Sequence, residues 1–192
     1  NDGKDNISWS LDWTDFTKSF FSTVIRDHER EGVDFWWLDW QQYLTSPYTN
    51  SLSETFWCNH VFFNEAKKRN QRPVIFHRWG GLGSHRYQIG FSGDANISYE
   101  ALAFEPYFTA TASNVGYGYW GHDLGGHMYS NDELINNPNL VLRWIQFGVF
   151  TPIFRTHATA DSRIERRIWK FPNFPLILDA VRLRYSLFPY LY

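Results

Sequence analysis

Two aspartates stand in surroundings where a carboxylate is costly. Asp39 follows four aromatic and aliphatic neighbours in "DFWWLDWQQ" (34–42), and Asp94 lies in "QIGFSGDANIS" (88–98). A carboxylate in an apolar setting shifts its protonation or finds a partner, so each needs a structural or a chemical reason. Two carboxyl groups at the ends of different strands have one well-defined use. They can flank a scissile bond, one attacking while the other donates and then recovers a proton. The same pattern of polar groups at strand ends continues with His77 and Arg78, with His122 and Asp123, and with Arg155 and His157. This set holds Asp, Arg and His, without the Lys and Glu expected of solvated loops, and so points to a converging pocket. Asp34 differs from Asp39. Five residues earlier on an extended segment, it faces the other way at the other end and reads as a cap or loop charge. Trp37 shares the face of Asp39, and Trp37, Trp40, Trp79 and Trp120 are candidates for the walls of the pocket or for the core.

The elements that must position these groups follow from periodicity. Phe16, Phe20, Phe21, Val24 and Ile25 recur at helical spacing between Thr14 and Glu31, with Gly32 as the stop, and the chain then enters a strand over 33–40. Ser51 with Glu54 reads as a capping box for a helix reaching about Arg69. "PVIFHR" (73–78) is the next strand, and "QIGFSG" (88–93) follows a glycine-rich loop. A helix from about Ser98 should be kinked or delayed by Pro106. "GYGYW" (116–120) reads as a strand, "NLVLRWIQFG" (139–148) as a helix and "FTPIFR" (150–155) as a strand. The terminal helix is "PLILDAVRLRYSLFPYLY" (175–192). Five short apolar strands interleaved with helices predict an α/β protein of parallel βαβ units, in a doubly wound sheet or part of a (β/α)8 TIM barrel. No dinucleotide fingerprint follows the first strand, and "WGGLGSH" lacks the ending of a phosphate loop, which favours the barrel.

Composition narrows the function. The 192 residues carry a formal charge of −2 with 43% hydrophobic and 20% charged residues, which gives no sign of a nucleic-acid or anionic-membrane partner. No run of 18 apolar residues suggests a membrane span. Aromatic residues make up 20%, with 10 Trp, 11 Tyr and 17 Phe, and their flat faces with polar edges suit sugar rings. Cys58, alone of its type, excludes an internal disulfide and reads as a core or helix-face residue. The sequons at Asn6 and Asn96 carry no weight, and the compartment stays open.

The motifs also carry a family resemblance. "FWWLDWQQ" resembles the nucleophile motif of glycoside hydrolase family 31, commonly W-x-D-M-N-E. "GSHRYQIGFSGDANISYEAL" resembles its G-S-x-R-Y…W-S-G-D-N…S-W-E-x-L segment, "GYWGHDLGGH" its G-x-D-I-G-G-F strand end, and "RWIQFGVFTPIFRTH" its R-W-x-Q-x-G-A-F-x-P-F-x-R-x-H block. The motifs come in the family's order across roughly residues 14–192. The resemblance implies a (β/α)8 barrel of which this segment holds about five of the eight strands. Residues 1–192 are then a C-terminal portion of that barrel in a longer protein, completed by the other strands and an upstream β-sandwich. By the same resemblance Asp39 is the nucleophile and Asp94 the acid/base, with Arg78, His157 and Asp123 binding substrate beside Trp37, Trp79 and Trp120. Asp39 must then be ionised to attack, and Asp94 must hold a proton to donate. No metal or other cofactor is implied. The expected activity is retaining hydrolysis of α-linked oligosaccharides or glycosides through a covalent glycosyl-aspartate, most simply by an exo-acting α-glucosidase. The same chemistry serves transglycosylation, or α-xyloside, α-galactoside and α-N-acetylgalactosaminide substrates.

Departures from the family pattern bear on substrate choice. Gln41 and Gln42 stand in the N-E positions, Phe91 replaces a tryptophan, and His127 replaces the phenylalanine closing the D-x-G-G turn. Two rivals belong to other classes. A metal-dependent hydrolase could draw on His122, Asp123, His127 and His157, though no helix carries them in a His-x-x-x-His spacing. A non-catalytic carbohydrate-binding relative would keep the aromatic pocket without the chemistry.

Overall fold

The computed structural model of the chain describes residues 9–39, 51–69, 72–78, 81–128 and 131–192. The chain divides into two compact units, Asn1–Tyr87 and Gln88–Tyr192.

In the first unit the expected helix over 14–31 forms as α1 (Thr14–Phe20), a π-helical turn (Phe21–Ile25) and α2 (Arg26–Glu31). Gly32 ends it at φ 118°, a left-handed conformation that a side chain would oppose. The π turn, which apolar spacing cannot reveal, buries Phe21 and Ile25. Strand β1 spans only Trp36–Leu38, and α3 spans Glu54–Lys67. The cap of α3 is Ser53 and not Ser51: the Ser53 hydroxyl accepts from the Phe56 N–H at 3.0 Å. Glu54 is therefore the first helical residue, two positions too early to close the expected box. Strand β2 (Ile75–Arg78) pairs parallel with β1, with Trp36 opposite Ile75 and Leu38 opposite His77. Ile75 faces the helices in a core of Leu11, Phe21, Ile25, Cys58 and Phe62, against which Trp36 packs. Trp37 and Phe76 stack on the opposite face, 5.6 Å between ring centres.

In the second unit β3 (Ile89–Phe91) and β4 (Tyr119–Gly121) pair parallel, Ile89 opposite Tyr119, and α4 (Tyr99–Asn114) links them. Ser98 caps α4, which runs through Pro106 without being delayed by it. Helix α5 (Pro138–Gly148) starts where the Asn137 side chain accepts from two N–H groups, at 3.0 Å each, and contributes Leu140, Val141, Trp144 and Ile145 to the main core. The expected terminal helix is two, α6 (Phe174–Ser186) and α7 (Phe188–Leu191), broken at Leu187 ahead of Pro189.

The stretch 150–155 does not form the expected fifth strand. Residues 153–156 do run beside β4, through Ile153 N–H to the Trp120 carbonyl (3.2 Å), Leu124 N–H to the Arg155 carbonyl (3.3 Å) and a parallel bridge between Leu124 and Thr156. Before them, the buried Arg184 guanidinium takes the carbonyls of Val149, Thr151 and Pro152 at 2.5–2.8 Å. Pro152 has no N–H to offer a ladder. The paired strands among the described residues are thus four, each pair joined by a helix, which is the repeating unit of a (β/α)8 barrel.

Candidate active site

The register of the first unit decides how Asp39 is held. Asp39 follows β1 directly and Arg78 ends β2, so the ladder that sets Leu38 opposite His77 brings these two side chains together. Arg78 Nη1 donates to Asp39 Oδ1 at 3.1 Å; the arginine side chain is 12% exposed and the aspartate 39%. Trp37 and Phe76 share that face of the strands by alternation, so an ion pair sits at the end of an aromatic stack. Behind it His77 is fully buried, its Nδ1–H donating to the Arg78 carbonyl at 2.5 Å. Burial pushes the His77 imidazole down to about 4, against the pull of backbone groups at Arg78 and Ser84. A neutral ring thus fixes the backbone that presents Arg78. Asp34 is exposed, and its carbonyl accepts from Arg69.

The second unit gathers a larger cluster. Asp123, two residues beyond β4, is 1% exposed; Arg155 Nη2 donates to its Oδ1 at 2.5 Å, and His127 Nδ1 meets its Oδ2 at 3.1 Å. Burial pushes the Asp123 carboxyl up, Arg155, His157 and His127 pull it back down, and Asp94 adds to the rise. Asp94 follows β3 and lies with its Oδ1 3.8 Å from His127 Nε2. The rings of His127 and His157 are 5.3 Å apart. Arg155 also lies over the Phe91 ring at 5.3 Å, so Phe91 supports the cation that holds Asp123.

Backbone bonds stitch these loops together. His127 N–H donates to the Ala95 carbonyl (2.7 Å), Ile97 N–H to that of Met128 (2.6 Å) and Thr159 N–H to that of His127 (3.1 Å). The turn that carries Asp123 needs both of its glycines. Gly125 and Gly126 have φ of 103° and 82°, and a Cβ on Gly126 would stand 2.7 Å from Ile97 Cα. Arg166 then clamps the turn, donating to the carbonyls of Gly125, Gly126 and His157 at 2.8–3.3 Å. Burial lowers this guanidinium to about 10, which leaves it charged at neutral pH.

The metal-ligating atoms of Asp123, His127 and His157 lie within 4.8 Å of one another. Because Asp123 already carries the Arg155 guanidinium and a His127 contact, the group reads as a hydrogen-bonded ion-pair cluster and not as a ligand set.

Other sequence candidates fall elsewhere. Trp120 is 2% exposed and packs with Tyr117, Phe108 and Ala112 on the face of β4 that meets α4; it is core, not a wall. His122, on that same face, is fully buried between Ser92 Oγ, Thr109 Oγ1 and Glu105 Oε2, each 2.9 Å away. Trp40 and Trp79 lie outside the described residues. Sequence reading passed over Glu105 and Arg166. The first had a signal, a carboxylate inside the apolar run "ALAFEPYF" (101–108), whereas nothing distinguishes Arg166 from the arginines beside it.

A family model for the glycosyl hydrolases family 31 TIM-barrel domain matches residues 2–192. The chain belongs to glycosyl hydrolases family 31. Among its family 31 relatives, neutral alpha-glucosidase C of Mus musculus is 34% identical over 67% of this chain and 14% of its own length. An alpha-xylosidase of Saccharolobus solfataricus is 29% identical over 93% of the chain and 27% of its own length. The fold is that of solved family 31 structures: a Flavobacterium johnsoniae dextranase complexed with glucose superposes with a TM-score of 0.77 at 23% identity, over 95% of this chain and 25% of that one. The fold is therefore the family's TIM barrel in part, and the chain spans about a seventh to a quarter of the length of the curated relatives it matches.

Proposed function

We propose that this chain is part of a retaining α-glycosidase, working by double displacement, with an exo-acting α-glucosidase as the first choice. In this reading Asp39 attacks the anomeric carbon while Asp94 protonates the departing oxygen. Asp94 then takes a proton from water, which releases the sugar from Asp39. The observation that carries the reading is the Asp39–Arg78 pair at the ends of adjacent parallel strands in a family 31 chain: the guanidinium orients a carboxylate beside an aromatic surface. Arg78, Asp123 and His157 are assigned to substrate hydroxyls, and Trp37 to the face of the sugar. The remainder of the barrel and an upstream β-sandwich are the partners this reading requires. A second reading, an α-xylosidase, draws support from the alpha-xylosidase relative, whose alignment covers 93% of this chain.

The test is the mass of the full-length protein after incubation with 5-fluoro-α-glucosyl and 5-fluoro-α-xylosyl fluorides, followed by peptide mapping. We expect one sugar per chain, on the peptide holding Asp39, with the faster-labelling sugar naming the substrate class. A folded protein that takes up no label from either would favour the binding-only relative, and a label on another carboxylate would remove Asp39 from its role.

A further inference from the structure

His127 closes the turn that in the family ends in phenylalanine, and it faces two carboxylates at once. Its Nδ1 is held by Asp123 Oδ2 at 3.1 Å, and its Nε2 lies 3.8 Å from Asp94 Oδ1. Asp123 is itself fixed from the other side by Arg155, and the His127 backbone is fixed by Ala95, the residue next to Asp94. The ring therefore has little freedom to turn away. A distance of 3.8 Å is ion-pair range and longer than a hydrogen bond, and catalytic contacts of this kind commonly tighten when substrate arrives.

We propose that His127 is a positioning residue for Asp94: held in place by Asp123, its Nε2 edge fixes how the Asp94 carboxyl is turned towards the departing oxygen. This rests on the reading of Asp94 as the acid/base. Phenylalanine in the same place offers no such contact. A carboxyl free to rotate spends part of its time with the acidic oxygen turned from the substrate. Fixing it recovers a share of the ~10²–10⁴-fold that general acid catalysis supplies.

The test uses kcat/KM of the full-length protein, which reports the first irreversible step, with α-glucosyl fluoride and with 4-nitrophenyl, phenyl and methyl α-glucosides; the α-xylosides replace them if trapping selects xylose. Proton donation matters more as the leaving group becomes more basic. Asp94→Ala should lose activity steeply from fluoride to methyl glycoside. His127→Phe should show the same trend at smaller amplitude, about 10-fold or more on the phenyl and methyl glycosides. His127→Gln, which returns a polar atom near the Nε2 position, should recover part of that loss, and His127→Asn should not. If Asp94→Ala shows the trend but His127→Phe loses equally on every substrate, or loses nothing, His127 is structural and the inference fails while the acid/base reading stands. If Asp94→Ala shows no trend, that reading fails and takes the inference with it. Near-UV circular dichroism of each variant separates these results from misfolding, and a misfolded His127→Phe leaves the Gln and Asn comparison to decide.

Discussion

Asp39 and Asp123 are the same residue type paired with the same partner type, yet burial sets them apart. Asp39 keeps 39% of its side chain exposed beside Arg78, whereas Asp123 keeps 1% beside Arg155. An exposed, oriented carboxylate suits attack; a buried one bound on both oxygens suits holding its neighbours. His77 shows a third outcome, a titratable group kept neutral by burial. Its imidazole falls from 6.5 to about 4 in the folded protein, so between those values the unfolded chain binds the extra proton. The stability tied to His77 is then fully present above pH 6.5 and is lost as pH falls towards 4, by about 3 kcal/mol at 1.4 kcal/mol per unit. Urea unfolding of the full-length protein at pH 7 and pH 4.5 should show that loss, and His77→Asn, which keeps a donor for the Arg78 carbonyl, should lose less between the two. Equal losses would place the acid sensitivity in other groups.

Among the elements, the D-x-G-G turn is the one whose geometry tolerates least. A methyl group at Gly126 would meet the backbone of Ile97 and Asn96 at 2.7–2.9 Å, and backbone cannot step aside. Gly126→Ala is expected to destabilise the protein by about 2 kcal/mol or more, adding positive-φ strain to the clash. Because Ile97 and Ala95 are bonded to Met128 and His127, the same change should move the Asp94 loop and lower kcat/KM. Thermal melting alongside kinetics checks both, and a variant as stable and active as the parent would show that the turn relaxes. This element was half legible in the sequence. The paired glycines beside Asp123 announced a tight turn, but its clamp, Arg166, is an ordinary arginine 40 positions on. The helices and the four strands were readable because each carries its own periodicity. The π turn at Phe21–Ile25 and the Ser53 cap were not, since they depend on which residue the neighbouring core captures. The stretch 150–155 reads as a strand by composition and fails as one because Arg184, from a distant helix, claims its carbonyls. At the candidate site, Asp39, Arg78 and Asp123 were legible as strand-end groups, whereas His157 was read from a strand that does not form and Trp120 was not separable from a wall residue. Its neighbours on α4, not its own strand, decide which way it is used.

For the molecule as a whole, each unit has a core of its own, one around Phe21, Cys58, Phe62 and Ile75 and one around Leu124, Leu140, Trp144 and Ile177. Large apolar side chains remain outside both. Phe104 and Tyr107 on α4, Phe150 after α5, and Leu176, Leu183 and Phe188 on α6 and α7 are each about half exposed or more. Isolated apolar residues at a surface need no explanation, but rows of them along three helices mark surfaces made to be covered. The family supplies a reason, because a barrel closes only with eight strands and the strands paired among the described residues are four. The 192 residues produced alone are therefore expected to bind 8-anilinonaphthalene-1-sulfonate strongly and to unfold without a single sharp transition, with near-UV and far-UV signals lost at different temperatures. The full-length protein, with those helices covered, should melt cooperatively and bind little dye. Coincident, cooperative transitions in the isolated chain would instead mean that the two cores suffice, and that the exposed rows on α4, α6 and α7 serve some purpose other than completing the barrel.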